Sequence, residues 1–184
     1  MSDQQVILAV DDNGSFLEYI PKEVGHTGQG RRHLAIAVLL ENSQGQVLLQ
    51  KRKHQIFDNI WDITGATHPL HKEDGADESL EEATRRCLKD EWGIMEIEEI
   101  REIGVFNYFA QYGSYCENEA EPLLCENEHC HLMVGEYSGE VKMNPEMGYE
   151  YKWMGKEEFL KDIVQNPDKY TPWAKAAVSE CKLP

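Results

Sequence analysis

The segment Trp61 to Ile94, WDITGATHPLHKEDGADESLEEATRRCLKDEWGI, constrains this chain most, because it fixes a helix at both ends. Ser79, with Glu82 three residues later, forms a capping box in which side chains satisfy two backbone N–H groups that helix geometry leaves without partners. Leu80, Ala83, Thr84, Cys87 and Leu88 follow at helical spacing, and Gly93 supplies the stop. Ahead of the helix, a strand reaches His68 and gives way to a polar loop.

The flanking sequence predicts a strand-rich fold. Val6 to Val10 and Phe16 to Ile20 read as a hairpin around Asp12-Asn13-Gly14, a turn that needs residues tolerant of positive φ. His33 to Leu40 and Val47 to Gln50 form a second hairpin around Asn42 to Gly45. Further strands are expected at Ile103 to Phe109, Leu123 to Gly135 and Tyr149 to Trp153, and an amphipathic helix at Lys156 to Val164. The acidic stretch Cys116 to Glu121 reads as an exposed loop. A length of 184 residues buries one full core, so a single domain over 1–184 with short appendages is expected.

A formal charge of -16 with no basic cluster argues against nucleic acid and anionic membrane surfaces as partners. An anionic substrate would then need metal ions. No apolar run reaches the roughly 20 residues of a membrane span, and the start MSDQQ lacks signal-peptide character. Five scattered cysteines suit a reducing compartment, and the expected location is cytoplasmic.

The helix stretch Arg86, Cys87, Leu88, Lys89, Asp90, Glu91, Trp92, Gly93, preceded by Gly65-Ala66-Thr67-His68-Pro69, resembles the Nudix box, whose pattern is R-E-hydrophobic-x-E-E-x-G. Cysteine stands where the first helix glutamate belongs, and Asp90 replaces the second. His68-Pro69 with a lengthened loop is similar to one branch of that superfamily, the type 1 isopentenyl-diphosphate isomerases. The resemblance spans roughly residues 5 to 180. It implies an α+β Nudix fold, a mixed sheet sandwiched between helices, with the box helix on one face and a C-terminal helix on the other.

The resemblance also implies a site. Metal ligands fall on His26, His33, His68, Glu126 and Glu128, and Glu91 carries over as the ligand of a second, substrate-bound Mg²⁺. Residues two apart on a strand share a face, so Glu126 and Glu128 reach one place. Three imidazoles and two carboxylates suit Mn²⁺ or Zn²⁺. Lys22, Arg52 and Arg86 match cations on the substrate diphosphate, although the Arg85-Arg86 pair is displaced by one residue relative to Glu91. Trp173, in Thr171-Pro172-Trp173, matches an aromatic that faces a carbocation-like intermediate, and reads equally as a core anchor.

A rival zinc reading of CENEHCH fails on alternation, since Cys125, His129 and His131 face away from Glu126, Glu128 and Cys130.

Isomerisation needs an acid and a base on opposite sides of an alkene. By resemblance the base side is Glu128 assisted by Tyr108. The cysteine of the other side is here Ala66, which transfers no proton; Thr64, two residues back, could share its face. Three readings follow: metal-assisted hydrolysis of a small-molecule diphosphate, with Asp90, Glu91 or Glu128 orienting the water; isomerisation with a replacement acid; and binding without turnover.

Overall fold

The computed structural model describes residues 5–113, 123–181 and 183; the acidic stretch Cys116 to Glu121 lies outside them. Both expected hairpins form. Strands β1 (Val6–Val10) and β2 (Phe16–Pro21) pair antiparallel, with Asp11 Oδ1 accepting from the Asn13 and Ser15 N–H groups and Gly14 at φ +79°. A five-residue helix α1 (Lys22–His26), which the sequence does not announce, leads into β3 (His33–Glu41) and β4 (Gln46–Arg52).

The second hairpin opens almost at once, since β3 and β4 pair only at Glu41↔Val47. From there β3 runs parallel to β8 (Leu124–Glu136), and β4 runs antiparallel to β9 (Gly148–Gly155) and to the two-residue β5 (Trp61–Asp62). The three-residue β6 (Gly65–Thr67) lies antiparallel to β3. Thr64 spans the divergence: its hydroxyl donates to Leu48 O and accepts from Leu40 N–H, both at 2.8 Å. Thr64 is therefore committed to the backbone and does not share a working face with Ala66. Strand β7 (Ile100–Tyr112) pairs with β8 and is longer than the sequence pattern predicts, whereas β8 has the expected length displaced by one residue.

Helix α2 (Leu80–Trp92) has the expected capping box at Ser79 and Glu82 and ends on Gly93 in the left-handed region. It covers one face of the sheet through Ala83, Cys87, Leu88 and Trp92, which pack on Ile36, Val38 and Leu48. The other face is covered by α3 (Lys156–Gln165) and α4 (Pro172–Glu180), whose Phe159, Ile163, Trp173 and Ala177 pack on Ala35, Val47 and Leu132. The fold is α+β, a mixed sheet between helices, with the helices on the faces expected. No described helix is long and apolar enough to cross a membrane.

Candidate functional site

Strand register assembles the site. In the parallel β3–β8 pair His33 stands opposite Glu128, and in the antiparallel β7–β8 pair Tyr108 stands opposite the same glutamate. Glu126, two residues earlier, projects to the same side. His68 follows the end of β6, which β3 holds through Ile36↔Thr67. His26 comes from the last position of α1, packed on the sheet through Gly25, where a Cβ would meet His33 Nδ1 at 2.8 Å and Ile7 Cδ1 at 2.9 Å. A glycine there is what lets α1 approach closely enough to bring His26 beside His33.

Each of His26, His33, His68, Glu126 and Glu128 offers one ligand atom, and these atoms all lie within 4.8 Å of one another. His26 Nδ1 is 2.7 Å from Lys22 O and His33 Nδ1 is 2.8 Å from Arg31 O, so both rings donate outward and turn Nε2 inward. That arrangement fixes tautomer and ring orientation for a metal ligand. His68 Nε2 lies 3.0 Å from Glu128 Oε1, and Tyr108 OH donates to Glu128 Oε2 at 2.5 Å. Inside the cluster, His26 Nε2, His33 Nε2 and Glu126 Oε2 are buried without a hydrogen-bond partner.

Buried polar atoms without partners are costly, and three of them converging on one point make a candidate cation site, with His26 Nε2 3.1 Å from Glu126 Oε2. The donor set of three nitrogens and two carboxylates fits a transition-series divalent ion such as Mn²⁺ or Zn²⁺. Burial keeps His68 neutral, down to about 3, despite Glu128 beside it. Burial and the neighbouring Glu128 push Glu126 up, whereas the His68 hydrogen bond and the electrostatic attraction of His33 and His68 outweigh burial and hold Glu128 well below the usual range. Among the described residues CENEHCH forms no separate metal cluster. There His129 Nδ1 pairs with Asn107 Oδ1 at 2.8 Å and His131 lies 3.1 Å from Glu102.

Beside the cluster opens a cavity of about 860 Å³, lined by every residue the sequence assigned to the site except His33, which lies beneath it. Lys22, in contact with Gln5 at 3.2 Å, and Arg52 face it from opposite elements. Arg86 is more committed: it donates to both oxygens of Glu78 at 2.9 and 2.8 Å and to His68 O at 2.8 Å, bracing the loop that carries His68. Glu91 stands apart from the five-ligand cluster. Its Oε2 accepts from Gln50 Nε2 at 2.9 Å and its Oε1 lies 3.4 Å from Cys87 Sγ, and burial pushes its carboxyl up to about 7.

Trp173 is both core anchor and cavity wall, 2 % exposed, with the Arg52 guanidinium 4.6 Å from its ring centroid and Tyr108 at 6.2 Å. Ala66 lines the same cavity and brings only a methyl group. Sequence reasoning missed the Lys53 to Ile56 turn at the cavity mouth and the anchor of Arg52, the buried Asp62 at 3.2 Å. Arg52 followed by Asp62 carried no spacing signal; only strand pairing makes them neighbours.

A family model described as "NUDIX domain" matches residues 31–174. Similar sequences include isopentenyl-diphosphate Delta-isomerase 1 of Aromatoleum aromaticum, 30% identical and covering 96% of this chain and 91% of that protein. Isopentenyl-diphosphate Delta-isomerase 2 of the same organism is 28% identical, covering 96% and 85%. Among solved structures, DR0079 from Deinococcus radiodurans is 18% identical at a TM-score of 0.69, covering 97% of this chain and 99% of that one. The MutT protein from Methanosarcina mazei Go1 is 20% identical at 0.55, covering 80% and 91%.

Proposed function

The chain belongs to the Nudix superfamily, and from that premise we propose that it is a metal-dependent enzyme that hydrolyses a small-molecule diphosphate in the cavity beside the His26, His33, His68, Glu126 and Glu128 cluster. The observation that carries the choice of hydrolysis is Ala66. It lines the cavity with Tyr108 and Glu128 and supplies no group able to protonate an alkene from the other side. A divalent cation bound here supplies Lewis-acid charge to phosphoryl oxygens. Lys22 and Arg52 bind and orient the diphosphate. Glu91, whose carboxylate lines the cavity beside Asp90, takes the proton of a water whose oxygen adds to phosphorus as the bond to the leaving phosphate breaks. Glu128 is less suited, because His68 and Tyr108 occupy its oxygens. The four described cysteines, buried free thiols, support a cytoplasmic setting.

One observation favours a second reading. Tyr108 OH on Glu128 Oε2, with Trp173 on the adjoining wall, is the half of an isomerase that handles a proton at carbon, and the sequence relatives bear isomerase names. Phosphorus and proton NMR of the protein with Mg²⁺, Mn²⁺ and isopentenyl diphosphate, against a chelated control, separates the two. Release of phosphate or monophosphate supports hydrolysis. An allylic product with its diphosphate intact overturns it in favour of isomerisation, and an unchanged spectrum that persists with nucleoside diphosphates overturns turnover altogether.

A further inference from the structure

We propose that Asp62, which does not itself line the cavity, is a positioning residue that locks Arg52 and Trp173 together and so aims the Arg52 guanidinium at the substrate diphosphate; this rests on the reading of Arg52 as a diphosphate contact. Asp62 ends β5 and is 1 % exposed. Both of its oxygens act as acceptors. Oδ1 takes the Thr171 hydroxyl and the Ile63 N–H, each at 2.8 Å, and Oδ2 takes Arg52 Nη1 at 3.2 Å.

Thr171 also caps α4, accepting from Ala174 N–H at 3.3 Å, and its own N–H donates to Trp61 O at 2.9 Å. The carboxylate therefore ties the start of the helix that carries Trp173 to the strand end beside Arg52. Between them the guanidinium is fixed on two sides, one amino group on Asp62 and one face over the Trp173 ring at 4.6 Å. Burial raises the Asp62 carboxyl, and the Arg52 guanidinium, the Thr171 hydroxyl and the Ile63 N–H oppose that shift and favour the ionised form.

A buried carboxylate is an expensive way to cap a helix, and a hydroxyl or amide does that alone. What the carboxylate adds is a charged acceptor for Arg52 on its second oxygen. A guanidinium held on one edge and one face keeps its remaining N–H groups for a phosphate in a set direction, which a free arginine gains only by ordering itself on binding.

Asparagine cannot reproduce this. It has one carbonyl oxygen, so its NH₂ must confront either Arg52 or the donors from Thr171 and Ile63. Charge alone predicts the opposite sign, because removing a nearby negative charge strengthens attraction for an anion.

The test is calorimetric binding of inorganic pyrophosphate with Mg²⁺ to the full chain, wild type and the variants Asp62→Asn, Arg52→Ala, Arg52→Lys and Asp62→Asn with Arg52→Ala. Asp62→Asn is expected to raise Kd about tenfold, the scale of one charge-assisted hydrogen bond. The double variant should be no worse than Arg52→Ala, because Asp62 acts through Arg52. Arg52→Lys, which keeps the charge but loses the planar fork, should match Arg52→Ala and carries the test if Asp62→Asn does not fold. Equal or tighter binding by Asp62→Asn, additive losses in the double variant, or wild-type affinity in Arg52→Lys beside a weakened Arg52→Ala overturns the positioning role alone. Unchanged affinity in Arg52→Ala overturns the diphosphate reading of Arg52 and the inference with it.

Discussion

Tyr108 donates its hydroxyl to Glu128 Oε2 at 2.5 Å across the β7–β8 ladder, where the two residues are direct partners. The other oxygen of Glu128 faces His68 at 3.0 Å and His33 at 3.7 Å, so the tyrosine sets the plane in which the carboxylate meets the imidazoles. Hydrogen bonds of this kind to a ligating carboxylate typically govern metal affinity by tenfold to a hundredfold. Tyr108→Phe is therefore expected to weaken Mn²⁺ or Zn²⁺ binding by about tenfold while leaving the fold intact, as read by competition with a chelator of known affinity. Undiminished affinity would separate the tyrosine from the metal centre.

Gly65 sits where β6 meets α2, and a Cβ there would approach Cys87 Sγ to 2.8 Å and Glu91 Oε2 to 3.3 Å. Gly65→Ala is expected to cost about 1–3 kcal/mol, the range for forcing a methyl group into a packed interior. Cys87→Ala in the same chain should recover part of the loss, giving a coupling of opposite sign in a double-mutant cycle measured by urea unfolding. Additive losses would mean that the backbone, not the thiol, absorbs the clash.

Much of the scaffold was legible because its signals are local. The Asn-Gly and Asn-to-Gly turns located both hairpins, and the Ser79–Glu82 box with Gly93 placed α2 to the residue. Helix α1 was not legible. Five residues with no capping side chain are too few to hold a helix by propensity, and Lys22–His26 is held instead by packing of Gly25 on His33 and Ile7. The five metal ligands were found through resemblance and strand alternation, but their convergence depends on β3 pairing parallel to β8, a contact across about ninety-five residues of sequence that no local pattern encodes. Thr64 was misread for a related reason. Its role is to bridge β3 and β4 where they part, and the parting itself is a property of the sheet.

Glu91 gives a pH dependence of defined sign. Burial raises its carboxyl from 4.5 to about 7, against the opposing hydrogen bonds from Gln50 and Cys87. A carboxyl whose folded value is raised contributes stability that is fully present below about 4.5 and is lost as pH rises through about 7. In metal-free protein, Glu91→Gln should therefore be more stable than wild type at pH 8, by at most about 3 kcal/mol, with the difference vanishing near pH 4.5. Denaturant unfolding of chelated protein at the two pH values checks this. Added Mg²⁺ should narrow the gap at pH 8, since a cation on Glu91 favours its ionised form. A gap that grows toward low pH would show that Glu91 is ionised at no cost in the folded chain.

Ala66→Cys separates an isomerase that has lost its acid from a hydrolase built on the same frame. Ala66 pairs with Ala37 on β3, is half-buried, and lines the cavity with Tyr108, Glu128 and Trp173. The change adds one sulfur atom at a position already open to the cavity, so little strain is expected. The thiol would supply a proton from the Ala66 position, which now offers none, while the Tyr108–Glu128 pair stands ready for the other side. If only the acid is missing, deuterium from solvent should enter isopentenyl diphosphate and its allylic isomer in the variant and not in wild type, observable by proton NMR. If the cavity is shaped for hydrolysis, the variant should release phosphate at about the wild-type rate with no deuterium in the carbon skeleton. That outcome would make the lost cysteine a consequence of a changed reaction, with Lys22, Arg52 and the metal cluster retained because any diphosphate needs them.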